Sequence, residues 1–134
     1  MCGYALARDY DFLFRVDSDA YVWVDRLLAC GFEQFDYMGF SKVEDSPAFG
    51  SVGFFLSRRA MQLVVEGKHT VQAHGIYWGD LWTGEVLKAH GILCHSDERF
   101  RDGFGKTDWR AEEIPAGTIS VHPVSIASQK DIHG

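Results

Sequence analysis

The sequence predicts an α/β fold. Three observations lead there. Short apolar runs of strand length alternate with helix-length amphipathic windows. Glycines close the predicted helices at Gly31, Gly67 and Gly91. The first convincing strand ends in a pair of carboxylates, which in open α/β folds is where ligands bind.

Residues Met1 to Tyr10 read as the end of a helix and a connection. Phe12 to Val16 is a buried strand running into Asp17-Ser18-Asp19. Val22 to Cys30 reads as a helix, with Trp23, Leu27 and Leu28 near helical spacing. Phe35 to Phe40 is a second strand. Ser41 to Ala48, polar and holding Pro47, is a loop. Ser51 to Leu56 is a third strand, and Ser57 caps a helix reaching Glu66. His69 to Gly79 is a connection. Asp80 opens a helix through His90, Ile92 to Cys94 is a short strand, and Asp97 to Ala116 is irregular. Ile119 to Val124 is the last strand.

The chain of 134 residues is one domain. Hydrophobic residues make up 46% and aromatics 14%, enough for a packed core and too many for disorder. The net charge of −6 and the lack of a basic stripe exclude nucleic acid as a partner. Cys2, Cys30 and Cys94 are odd in number and lack metal-ligand spacing, so they read as reduced thiols. No apolar run approaches the roughly 20 residues of a membrane span, and no signal peptide is visible. As it stands the chain fits the cytoplasm.

The chemistry is in the carboxylates. Residues two apart on an extended strand face the same side, so Asp17 and Asp19 address one ligand. Such a pair suits a hard divalent cation that also holds a diphosphate. The motif alone is common: among 12 aspartates, Asp9-Tyr10-Asp11 repeats it. Only Asp17 follows a buried strand. The bland alternative is a solvated turn or a helix cap.

Five segments, in order, resemble the metal-dependent GT-A glycosyltransferases, closest to the inverting β-1,3-glycosyltransferase group (family 31) of the fringe and core-1 galactosyltransferase enzymes. They are Asp11 to Val22, Asp36-Tyr-Met-Gly-Phe, Gly50 to Ala60, Trp78 to Ile92 and Ser120-Val-His-Pro. Ser18, Ser51 and Gly79 stand where that family usually has Asp, Gly and an acidic residue. The resemblance covers about residues 10 to 125. It implies a partial GT-A (nucleotide-diphospho-sugar transferase) fold with a mixed sheet flanked by helices, truncated so that the amino-terminal nucleotide-binding strands are missing. It implies transfer of a sugar from a UDP-sugar to a hydroxyl acceptor, a glycan or glycoprotein, with inversion. Mn²⁺ (or Mg²⁺) would be held by Asp19, Asp17 and His122, with His95 as the fallback, and Asp80 would be the general base. Gly50 and Gly53 would let the backbone approach the donor sugar or the acceptor. For a longer, anchored relative it implies the Golgi lumen.

Each assignment has a plainer counterpart: a helix cap for Asp80, a surface or structural imidazole for His122, a turn feeding a strand for Gly50 and Gly53. Trp78 and Trp82 can stack on sugars or fill a core. Arg58 and Arg59 can reach a phosphate or start a helix in solvent. Two other function classes fit the same residues. One is a non-catalytic or truncated transferase-like binding protein. The other is a metal-dependent hydrolase with two metals about 4 Å apart.

Overall fold

A computed structural model describes residues 1–67 and 79–134. Five helices and seven short strands are present among them. In chain order they are α1 (Cys2–Ala7), β1 (Phe12–Arg15), β2 (Tyr21–Val22), α2 (Val24–Leu28), β3 (Tyr37–Gly39), β4 (Phe54–Ser57), α3 (Arg58–Glu66), α4 (Gly79–Ala89), β5 (His95–Ser96), β6 (Phe100–Asp102), β7 (Ser120–His122) and α5 (Ile126–His133). The chain is a mixed α/β protein with two mixed sheets.

The larger sheet has the order β1-β4-β3-β5, antiparallel except for the parallel pair β3 and β5. The smaller sheet is β2-β7-β6, with β2 antiparallel and β6 parallel to β7. Strand periodicity distributes the core. Tyr37, Phe54 and Leu56 point to one side, where Ala60, Met61 and Val64 of α3 and Leu87 of α4 close over them. Met38 and Phe55 point to the other side, where they meet Leu27, Val52, Phe100 and Ile119. All four residues of β4 are buried, so this strand is covered on both faces.

Local signals explain the element ends. The Ser57 side chain accepts a hydrogen bond from the Ala60 N–H (3.2 Å), and α3 stops at Gly67, as its sequence predicts. Gly31 and Gly91 take positive φ values of 83° and 74° after their helices. Other expectations need correction. Val22 does not begin a helix; Tyr21 and Val22 pair with Val121 and Ser120, and the helix starts two residues later. The short strand predicted at Ile92 to Cys94 lies at His95–Ser96, where it pairs with Met38 and Gly39. The segment read as irregular contains β6, and α5 was not anticipated. The predicted connection from His69 to Gly79 lies, but for its last residue, outside the described residues.

Gly53 serves this packing. Its φ is +99°, and a Cβ there would run into the Phe14 ring, which packs tilted at 44° against Phe55 with centroids 4.8 Å apart. Gly53→Ala should therefore cost about 2–5 kcal/mol from backbone strain and overpacking. Urea unfolding measures this; a loss below about 1 kcal/mol would mean that the ring moves aside freely.

Candidate metal site

Two strand pairings assemble the site. The Asp17-Ser18-Asp19 turn leads directly into β2, and β2 pairs with β7, whose last residue is His122. The Val124 N–H donates to the Asp19 carbonyl (2.8 Å), tying the turn to the segment after β7. One ligand atom each from Asp17, Asp19 and His122 thus comes within 4.8 Å of the others. His122 Nε2 lies 3.2 Å from Asp19 Oδ1. Asp17 and Asp19 are 40% and 58% exposed while His122 is 18% exposed, so an ion would be reached from solvent on the carboxylate side. Two carboxylates and one imidazole form a mixed oxygen and nitrogen set, which suits manganese better than calcium with its all-oxygen preference. Among the described residues this is the one such cluster.

Beside it lies a cavity of about 510 Å³ lined by Asp17, Asp80, Arg15, Ser51, Asp102 and Phe104, among others. Asp17 belongs to both the ligand cluster and the cavity. Asp80 sits in the first turn of α4. Its Oδ1 accepts from the Leu81 N–H (2.9 Å) and its Oδ2 from the Gly50 N–H (3.0 Å). Asp80 lies one residue inside the helix, which begins at Gly79, so it is not the N-cap of the plainer reading; it is a wall of the cavity. A carboxylate has about four acceptor sites, so two bonds leave room for a hydroxyl donor.

Gly50 has a specific reason to be glycine. A Cβ there would collide with the Arg15 guanidinium and come within 3.1 Å of Asp80 Cβ. Gly84 acts at one remove, giving Pro47 room to press the preceding loop onto α4. Gly53 is buried against Phe14 and does not line the cavity, so its role here is packing.

Several residues lie elsewhere. Asp9 and Asp11, the second Asp-x-Asp, are ion-paired to Arg58 at 2.7 and 3.4 Å. Arg59 pairs with Asp36 at 3.3 Å. Neither arginine lines the cavity. His95 stacks flat on Phe35 with centroids 3.8 Å apart and is not in the ligand cluster. Trp82 packs against the helical core, and Trp78 lies outside the described residues. Burial pushes the Cys94 thiol up to about 12 and raises those of Cys2 and Cys30, so all three are held protonated.

Sequence reasoning missed Arg15 and Asp102. Arg15 pairs with Asp17 at 2.8 Å and is a cation on the cavity wall. Its signal was a charge inside the apolar run Phe12 to Val16, which asks for a partner or a ligand. Asp102 had no comparable signal, since its neighbours in space are remote in sequence. Comparison with known protein families finds no match, and comparison with curated proteins finds none. No helix among the described residues is long and apolar enough to cross a membrane.

Proposed function

We propose that this chain is a GT-A-type glycosyltransferase domain of the inverting β-1,3 group, moving a sugar from UDP to a hydroxyl of a glycan or other acceptor. The observation that supports it best is a single shared residue. Asp17 belongs both to a three-ligand cluster that could hold a cation and to the cavity that Asp80 also lines.

In this reading Asp17, Asp19 and His122 would hold Mn²⁺ or Mg²⁺, which would supply positive charge opposite the leaving diphosphate. Arg15 lies in the same cavity and offers a planar cation to a phosphate oxygen. The Gly50 and Leu81 N–H groups fix the Asp80 carboxylate. Asp80 orients the acceptor hydroxyl and takes its proton as the oxygen bonds to the anomeric carbon. The bond from that carbon to the diphosphate oxygen breaks, and UDP leaves with the electron pair. Exposed apolar and aromatic side chains at the cavity mouth, Leu81 and Phe104, suit the hydrophobic faces of sugar rings.

The test is UDP release from a panel of UDP-hexoses, with and without Mn²⁺, and with and without simple glycoside acceptors. Release that needs the ion and is stimulated by an acceptor is expected. Release indifferent to acceptor would favour the hydrolase reading. Binding of UDP-sugar without release would favour a binding protein.

A further inference from the structure

Asp102 is nearly buried, with 13% of its side chain exposed, and its orientation is set on two sides. The Ser51 hydroxyl donates to Oδ2 (2.8 Å) and the Phe104 N–H donates to Oδ1 (2.7 Å). The parallel register of β6 and β7 places Asp102 directly opposite His122. Residues so paired present their side chains on the same face of a sheet. Asp102 Oδ2 lies 3.5 Å from His122 Nδ1. That nitrogen is shut off from solvent and has no hydrogen-bond partner at ordinary geometry. The other ring nitrogen, Nε2, faces Asp19.

We infer that Asp102 is a positioning residue for His122: it keeps the ring proton on Nδ1 and turns the Nε2 lone pair toward Asp17 and Asp19. The inference rests on the cation reading of those three residues. The physical argument is local. A bare Nδ1 would set a lone pair against a carboxylate oxygen in a site that water does not reach, which is repulsive and unscreened. A proton on Nδ1 turns the same approach into an attraction. Nε2 needs no such help, because its neighbour Asp19 is largely exposed and water can serve both. A ligating imidazole has to present an unprotonated nitrogen, and a carboxylate behind the ring is the usual way to fix which one. Closing the distance from 3.5 Å to a short hydrogen bond is a small ring rotation. Ser51 contributes by anchoring Oδ2, the oxygen that faces the imidazole.

The substitution Asp102→Asn makes the idea sharp. The Phe104 N–H requires an oxygen where Oδ1 now lies, so the new NH₂ occupies the position of Oδ2 and faces Nδ1. An N–H donor there demands a bare Nδ1, which moves the ring proton to Nε2 and blocks ligation. Asp102→Ala removes the acceptor without imposing the reversal. Neither change replaces Asp17, Asp19 or His122.

The experiment uses the whole chain. Nitrogen-15 NMR of the histidine rings, without metal and at mildly alkaline pH, reads which His122 nitrogen carries a proton. Wild type is expected to show a proton on Nδ1, and Asp102→Asn to lose it. Titration calorimetry with Mn²⁺ should show affinity weakened about 10–100-fold in both variants, the alanine variant less than the asparagine one. Thermal melts identify any variant that fails to fold, and the wild-type NMR reading stands without the variants. A bare Nδ1 in wild type, or equal Mn²⁺ affinity in folded Asp102→Asn, would overturn the inference. If wild type binds no Mn²⁺ but its Nδ1 proton depends on Asp102, the cation reading fails while the positioning of the ring survives.

Discussion

Replacing Asp80 by asparagine is expected to lower sugar transfer by about 10²–10⁴-fold, the range that a positioned general base contributes. UDP-sugar affinity should stay nearly unchanged, because Asp80 lies on the cavity wall outside the Asp17, Asp19 and His122 cluster. The substitution also has a structural side. Asp80 accepts from two backbone N–H groups, those of Gly50 and Leu81. An amide has one oxygen, so one of those donors would face an NH₂ instead, at a cost of about 1–3 kcal/mol if the group stays dry. Thermal stability and donor affinity must therefore be measured beside turnover. A stable variant that binds donor normally and is inactive supports the base role. One that turns over at more than about a tenth of the wild-type rate rejects it. One that loses donor binding shows that Asp80 holds the Gly50 backbone in place and does no more.

The second large effect is expected at Asp19. Asp19→Ala should abolish Mn²⁺-dependent UDP binding while leaving stability within about 0.5 kcal/mol, since the side chain is 58% exposed. The tie between the turn and the segment after β7 is made by the Asp19 carbonyl, which alanine keeps. What the variant loses is an anionic ligand. Calorimetry of UDP binding with and without Mn²⁺ separates the two contributions. Unchanged Mn²⁺-dependent affinity would refute the assignment of Asp19 to the cation. Intact metal binding in Asp19→Ala together with its loss in His122→Ala would instead place the ion deeper, against the imidazole.

The parts of the fold that were legible in the sequence are those governed by local chemistry. The Ser57 cap, the Gly67 and Gly91 stops and the apolar run at Phe12 each act within a turn or a strand, and each was found where its chemistry placed it. The elements that escaped are held by distant partners. Tyr21 and Val22 sit next to a helical pattern and become a strand only because β7 lies beside them. Phe100–Asp102 lies in a charged, glycine-bearing stretch whose strand character comes from pairing with β7. Helix α5 has few inward residues, with Ser128 buried and Ile126 exposed, so its periodicity is faint.

The candidate site divides in the same way. Asp17 and Asp19 were visible as an acidic pair just past an apolar run, although they lie in the turn after β1 and not on an extended strand, and Asp80 was visible because a helix begins beside it. His122 was drawn from a family resemblance, and the structure places it beside Asp19. Arg15 is readable as a charge in an apolar run, which asks for a partner, and that partner is Asp17. Asp102 was not readable, because nothing near it in the chain reveals that Ser51, Phe104 and His122 surround it.

The contact between residues 102 and 122 depends on how two neighbouring strands are aligned, and this sets where the chain can tolerate changes in length. Insertions or deletions in the long excursion beyond Phe104, whose N–H holds Asp102, spare the pair as long as Phe100 stays across from Ser120. A slide of one step would bring Arg101 across from the imidazole, a cation in place of an anion. Indels there should then sort into two classes with little between them: those that keep the alignment and the ion, and those that lose both.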